Sequence, residues 1–363
     1  MNAVMTMVAE GLLMAFLVAL VTVPLCIVVA RRCNIVDHPG GRKTHGKVTP
    51  LLGGVGVFLA VAISLLAVEL MTRGSTQIDL RLQEVGPVLG AAAVIFVIGL
   101  IDDVFKDRMA FQLKLAGQIL GVVILDWPQL SRLVQEGGAP KDWLYQLFFL
   151  CWFLTIVNSF NFSDNMNGLM SGLSIVAFLA SLVYLGSGNS LRTLLIAVLL
   201  TGALLGFMPW NFPRSRVFLG DAGSMFVGFW MGWVQFDMVR GFPDDAVWDH
   251  GISKLVPAVL IMGVPLYDAA FVVLMRAVEK RPIYLGDNHH LSHRLVRAGF
   301  TPAEAVVILW GLAIVLAGVG ILAAFSPPGY RYLLLGASFA VMVCVTRVIM
   351  SYEHAARTRA ATE

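Results

Sequence analysis

Charge is scarce in this chain. Of 363 residues only 13% are Asp, Glu, Lys or Arg, 58% are hydrophobic, and mean hydropathy is +0.79. A water-soluble fold of that composition has too little polar material to cover its surface, which excludes the ordinary soluble classes. The net charge of +3 is too small for a nucleic-acid partner, whose affinity comes from neutralising many phosphates. Cysteine is scarce too: Cys26, Cys33, Cys151 and Cys344 are scattered, mostly in apolar runs, without metal-ligand spacing, and read as small packing residues. No Lys or Arg occurs in Met1–Glu10 ahead of the first apolar stretch. The basic region of a signal peptide is missing, so that stretch is read as a retained helix. There is no internal repeat, no low-complexity tract and no soluble domain.

What is present is a series of apolar runs about 20 residues long, the length that crosses a bilayer as a helix. Eleven are read, at roughly 9–30, 51–71, 87–101, 111–126, 143–160, 168–186, 191–210, 223–239, 253–275, 303–325 and 331–350. The reading is an all-α integral membrane protein of about eleven transmembrane helices. One polytopic domain covers 1–350, and a short polar cytoplasmic tail, frayed, covers 351–363. An odd number of spans puts the termini on opposite sides. With the N-terminus outside and the C-terminus cytoplasmic, Lys and Arg are about twice as numerous on the inside, as the positive-inside rule requires. That orientation gathers five polar islands on one face, the cytoplasmic one.

Each island has a plain reading beside a chemical one. Asp102-Asp103 closes the third span. It is either a solvated interfacial helix end or, since two carboxylates there are costly unless paired, a divalent-cation site or a base. Lys114 shares a helix face with Gln118; it either snorkels to the interface or holds a lipid phosphate. The stretch Asn158 to Gly168 contains Asn161, Asp164 and Asn167. A helix cap explains one of its polar residues, while amides and carboxylate together suit a nucleobase and sugar hydroxyls. Asp221 between Gly220 and Ala222 is equally well a cap or a metal ligand. Arg42, Lys43, His45 and Lys47 precede the Gly53-Gly54 pair and can bind phosphates. Three of the seven histidines, His289, His290 and His293, sit within five residues beside Asp287 and Arg294. Without an HExxH pattern or cysteine pair, a phosphate-binding or acid–base role fits them better than zinc.

Together and in this order the motifs resemble the polyprenyl-phosphate N-acetylhexosamine-1-phosphate transferase family, over almost the whole chain. The resemblance implies transfer of a sugar 1-phosphate from a UDP-sugar to a polyprenyl phosphate, with Mg²⁺ (or Mn²⁺) and release of UMP. Asp102 and Asp103 match the family's aspartate pair, Lys114 a lysine after it, Asn161 and Asp164 an Asn and Asp of an NxxDGxDG-type run, Asp221 the aspartate credited with Mg²⁺, Arg276 an arginine opening the last long cytoplasmic loop, and His290 the leading histidine of a DRxHxHH-type run. The roles carried over are catalytic for Asp102, Asp103, Lys114 and His290. Asp221 and Asp102 are implied metal ligands, and Lys43, Lys47, Asn161, Asp164, Asn167, Arg276, His289 and His293 contact the substrate. Asn167, Asn288 and Ser292 depart from the family pattern, which opens the choice of donor. GlcNAc is favoured, with another UDP-N-acetylhexosamine as the alternative. The implied location is the inner (plasma) membrane with a cytoplasmic active site, among membrane lipids, with a homodimer left open. A proton- or cation-coupled transporter is the competing class; it places ionisable groups near the midplane and shows pseudo-symmetric halves, which this chain lacks.

Overall fold

A computed structural model describes residues 2–38, 48–72, 86–105, 109–185, 190–240, 251–282 and 289–362. The described residues are helical almost throughout, as apolar runs must be in lipid, where each backbone N–H needs a partner within its own segment. In chain order the elements are α1 (Asn2–Arg32), a two-residue antiparallel ladder of β1 (Val36–Asp37) and β2 (Thr49–Pro50), α2 (Gly53–Thr72), α3 (Gly86–Phe105), α4 (Phe111–Glu136), α5 (Pro140–Ser163), α6 (Leu169–Leu185), α7 (Leu191–Asn211), α8 (Gly220–Arg240), a 3₁₀ turn (Gly251–Leu255), α9 (Val256–Ile261), α10 (Gly263–Val278), the short α11 (Leu291–Arg297), α12 (Pro302–Ala324) and α13 (Pro328–Thr362). The ladder pairs Val36 with Pro50 and Asp37 with Thr49.

Among the described residues seven helices are long and apolar enough to cross a membrane: α1, α2, α3, α5, α7, α12 and α13. The 3₁₀ turn and α9 with α10 make an eighth only if taken as one span, since they are bent by 95° at Met262. Of the remaining apolar helices, α6 is only 17 residues long, and α4 and α8 carry ionisable side chains. The protein is an all-α, multi-pass membrane protein. Start signals agree with the helix ends: Ser190 caps α7 by accepting from Thr193 N–H, and Thr301 with Glu304 forms a reciprocal box at α12 behind Pro302.

α8 is the centre of the bundle, buried along nearly its whole length. Lipid tails are as apolar as the helices, so association depends on close packing and interhelical hydrogen bonds rather than on hydrophobic burial. Both occur here. Trp152 Nε1 on α5 donates to the Gly232 carbonyl at 3.1 Å, Gln235 on α8 donates to Ser181 on α6 at 2.7 Å, and Thr22 on α1 donates to the Gly56 carbonyl at 2.8 Å. A second core joins Leu291 and Leu295 of α11 to Leu309, Ala313, Met342 and Ile349 of α12 and α13. The segment after Ser351, read from sequence as a frayed tail, continues α13 to Thr362, and Glu353 on it is buried. The reason is a local ion cluster described below.

Candidate active site

The site is built on the first turn of α8. Gly220 opens it with φ +74, and Asp221 is its second residue. The open N–H groups of that turn need acceptors. Asp103, in the last turn of α3, supplies them: one carboxylate oxygen accepts from Asp221 N–H at 2.8 Å and the other from Ala222 N–H at 2.9 Å. A side chain at Gly220 would meet Asp103 Oδ2 at 2.6 Å and the Leu51 carbonyl at 2.8 Å, and its backbone conformation is one that glycine alone adopts freely. Gly99 brings α3 close from below, since a Cβ there would lie 2.5 Å from the Asp221 carbonyl oxygen. From the other side Gly53 and Gly54, opening α2, donate their N–H groups to the Phe218 and Leu219 carbonyls at 3.0 and 2.8 Å. The glycine pair read beside the basic run is thus a seam holding the approach to α8.

Adjacent residues on a helix diverge by about 100°, so Asp102 faces elsewhere. Its Oδ2 accepts from Lys114 Nζ at 3.1 Å, and the same ammonium donates to Asp221 Oδ2 at 2.6 Å. Asn161, near the end of α5, donates to Asp221 Oδ1 at 2.6 Å and to Ser224 Oγ at 2.8 Å. One turn beyond Lys114, Gln118 and Asn158 exchange amide hydrogen bonds at 2.8 and 3.4 Å, fixing α4 against α5. Four helices therefore meet at one clamp, Asp102–Lys114–Asp221–Asn161.

The clamp opens on a cavity of about 480 Å³ whose lining includes Asp102, Asp103, Asn161, Asp164, Asn167, Asn211 and Asp221, with Asp37 and His38 from the β1 strand and its end. Burial, and then the nearby Asp221 charge, raise the Asp164 carboxyl to about 7, against the lowering pull of the Gly220 N–H. Asn211 is structural as well as lining. Its carbonyl oxygen accepts from Gly168 N–H at 2.6 Å and its amide donates to the Val217 carbonyl at 2.9 Å, locking the 161–168 loop to the chain leading into α8.

The histidine loop forms a second group beside this cavity, across Phe162. The Arg276 guanidinium lies 5.5 Å from the Phe162 ring centroid, the His290 ring stands nearly edge-on to it at 6.4 Å, and His293 is 6.1 Å from His290. His290 Nδ1 lies 2.7 Å from Asp268 Oδ2, a partner the sequence did not suggest. Ser292, one of the departures from the family pattern, is buried and donates to Asn165 Oδ1 at 2.7 Å. It ties α11 to the amide-rich loop and lies outside the cavity lining. His289 meets Glu279 at 3.3 Å, and Arg294 donates to the His289 carbonyl at 3.1 Å and to Glu353 at 3.0 Å. Arg297 and Arg357 complete the Glu353 cluster at 2.7 and 2.6 Å, which accounts for the helical tail. Lys43 and Lys47, with Arg42, His45, Asp287 and Asn288, lie outside the described residues.

Sequence reasoning found the clamp residues and missed Asp37, His38, Asn211 and Asp268. His38 lies just beyond the strand and carried a signal, an imidazole beside an acid. Asn211 and Asp268 sit in apolar helices with no motif around them.

An acidic cavity held between helix ends, with an ammonium shared by two carboxylates, defines a class: a multi-pass membrane protein with a polar reaction-type site on its bundle. Residues 85–239 match glycosyl transferase family 4. The decaprenyl-phosphate N-acetylglucosaminephosphotransferase of Mycobacterium tuberculosis is 32% identical over 339 residues, 85% of this chain and 80% of the relative. The enzyme of the same name from Mycolicibacterium smegmatis is 30% identical over 350 residues, covering 88% and 83%. The undecaprenyl-phosphate alpha-N-acetylglucosaminyl 1-phosphate transferase of Escherichia coli is 29% identical over 308 residues, covering 82% and 79%. The chain belongs to this family of membrane sugar-1-phosphate transferases, the one its motifs resemble.

Proposed function

We propose that the protein transfers GlcNAc 1-phosphate from UDP-GlcNAc to a polyprenyl phosphate, releases UMP, and so starts a cell-envelope glycan on a lipid diphosphate. The clamp Asp102–Lys114–Asp221–Asn161 at the mouth of α8 carries this reading, together with relatives that bear the corresponding names. The paired carboxylates sit at helix ends, where a transferase meets a headgroup, and this does not favour a transporter.

In the reaction an oxygen of the lipid phosphate attacks the β-phosphorus of the UDP-sugar. The bond from that phosphorus to the oxygen bridging to the α-phosphorus breaks, and UMP leaves. Two anions must be brought together in a cavity lined by Asp102, Asp164 and Asp221. That requires added positive charge. Among the described residues no group of three or more His, Cys, Asp or Glu is placed to cage a metal alone. Mg²⁺ does not need such a cage, since it takes one or two carboxylates and completes its shell with water and substrate phosphate. Asp221 and Asp102, both hard oxygen donors converging on one cation already, fit it. Bound there, Mg²⁺ would offset the charge of the diphosphate and of the departing UMP.

The chain's own groups divide the remaining work. Asp102 has an oxygen not bonded to Lys114 and takes the proton of the lipid phosphate. Lys114 places its ammonium between the two carboxylates and draws in the phosphates. Asp103 has both oxygens committed to α8 N–H groups and positions Asp221. Asp164, Asn167 and Asn161 face the cavity and read the nucleotide-sugar, with Arg276, His289, His290 and His293 flanking it and Lys43 and Lys47 holding phosphate. All eleven apolar runs cross the inner membrane, with the N-terminus outside and the site at the cytoplasmic face. The test is purified protein with undecaprenyl phosphate and a panel of UDP-sugars, with and without Mg²⁺. UMP release with UDP-GlcNAc, abolished by chelation, supports the proposal; release with another donor alone, or independent of divalent metal, overturns it.

A further inference from the structure

We propose that Asp268 is the positioning residue of the histidine loop, holding His290 in one tautomer and one orientation against Phe162; this rests on the transferase reading for its kinetic consequence. Asp268 lies in α10, in an apolar stretch, 6% exposed. An ionised carboxylate so placed is costly unless its oxygens are satisfied. Each takes one N–H group of the returning chain: Oδ2 is 2.7 Å from His290 Nδ1 and Oδ1 accepts from Leu291 N–H at 2.7 Å. Both partners are adjacent residues, so the ring is held at two points, by its own nitrogen and by the backbone behind it. A carboxylate has no proton to give, so Nδ1 must carry one, and Nε2 is the nitrogen left for other work. The ring then stands edge-on to Phe162, over which Arg276 also lies. Phe162 follows Asn161, a member of the clamp. Asp268 thereby fixes how His290 stands against Phe162 and which of its nitrogens is available.

The rest of α11 does not depend on this carboxylate. Leu291 and Leu295 are buried in the second core, and Arg294 is paired with Glu353. Asp268→Asn therefore keeps α11 docked. Asn offers one acceptor oxygen. With Leu291 N–H taking it, the amide NH₂ faces Nδ1, which must give up its proton, and the ring changes to the Nε2–H tautomer. A ring held in the wrong tautomer loses proton-transfer function without losing its place.

The experiment labels the histidines with ¹⁵N in the full-length protein in detergent. The His290 ring signals are assigned by their loss in His290→Gln. Nδ1 should carry the proton in the parent and lose it in Asp268→Asn. In the transferase assay Asp268→Asn should lower kcat roughly 10²–10⁴-fold, with KM for the UDP-sugar changed less than severalfold. In a His290→Gln background the same substitution should add less than a severalfold further loss. An unchanged His290 tautomer in Asp268→Asn, or an equal loss of kcat with His290 already replaced, overturns the inference. If the parent shows no transferase activity, the functional reading fails while the tautomer comparison still decides the Asp268–His290 pair.

Discussion

Replacing Asp103 with Asn separates positioning from acid–base work. In the native protein both Asp103 oxygens accept N–H groups at the start of α8, at 2.8 and 2.9 Å. Asn has the same shape but one acceptor, so its NH₂ opposes either Asp221 N–H or Ala222 N–H. One charge-assisted hydrogen bond is lost, about 1.5–3 kcal/mol, and one buried donor is left unmet, about 1–3 kcal/mol. The combined cost, roughly 2.5–6 kcal/mol, falls on the turn that carries Asp221. Part should appear as a lower Tm and part as a displacement of Asp221, the proposed Mg²⁺ ligand. If only ~1.4 kcal/mol of it reaches the metal site, the Mg²⁺ concentration for half-maximal activity rises tenfold. The assay is UMP release against Mg²⁺ concentration for parent and variant. Positioning predicts a rise in the Mg²⁺ requirement and substantial recovery of turnover at saturating Mg²⁺. A kcat that stays more than 10²-fold down at saturation, with an unchanged Mg²⁺ requirement, would refute the reasoning and make Asp103 the base.

Three further outcomes follow from the same geometry. Because the folded-state value of Asp164 is raised from 3.8 to about 7, its contribution to stability is fully present below about 3.8 and is lost as pH rises through about 7; in chelator, parent Tm should fall across that window more steeply than Asp164→Asn, and parallel curves would count against a half-buried, raised carboxyl. Arg281 is exposed just past α10, so in a cysteine-free background Arg281→Cys should resist an impermeant maleimide on intact cells and react after lysis, whereas labelling from outside would reverse the orientation. Asn167 lines the cavity while Ser292 does not, so Asn167→Asp should change the relative turnover of UDP-GlcNAc and UDP-GalNAc and Ser292→Ala should leave it; an unchanged ranking in Asn167→Asp would remove that residue from donor reading.

Much of this architecture was legible in the chain because lipid imposes a strong rule, that apolar runs of bilayer length become helices. Ten of the eleven apolar runs each lie on one helix, the run at 253–275 being broken at Met262 into α9 and α10, and the polar islands at their ends supplied the clamp. What the sequence could not divide was the aspartate pair. Neighbours in sequence, Asp102 and Asp103 point about 100° apart on α3, and only the packing of α8 decides which one caps a helix and which one faces Lys114. The cap reading of Asp221 is set aside by the same contact: Asp103 does the capping, which leaves the Asp221 side chain to Lys114 and Asn161. Asp268 was hidden because a lone acid in an apolar run has no pattern, and its partner lies 22 residues away. The order of the tail was hidden for a similar reason, since Glu353 gathers arginines from α11 as well as Arg357 on its own helix.

In the proposed reaction a phosphoryl group, with its sugar, passes from nucleotide to lipid. The direct measurement uses UDP-GlcNAc labelled with ³²P in the β-phosphate, incubated with the purified protein, Mg²⁺ and undecaprenyl phosphate, and follows the label between the organic and aqueous phases. Label should appear in the lipid product in step with unlabelled UMP in water, and neither should appear in Asp221→Asn. Label that stays in water as UDP while GlcNAc enters the lipid, or lipid labelling undiminished in Asp221→Asn, would contradict it.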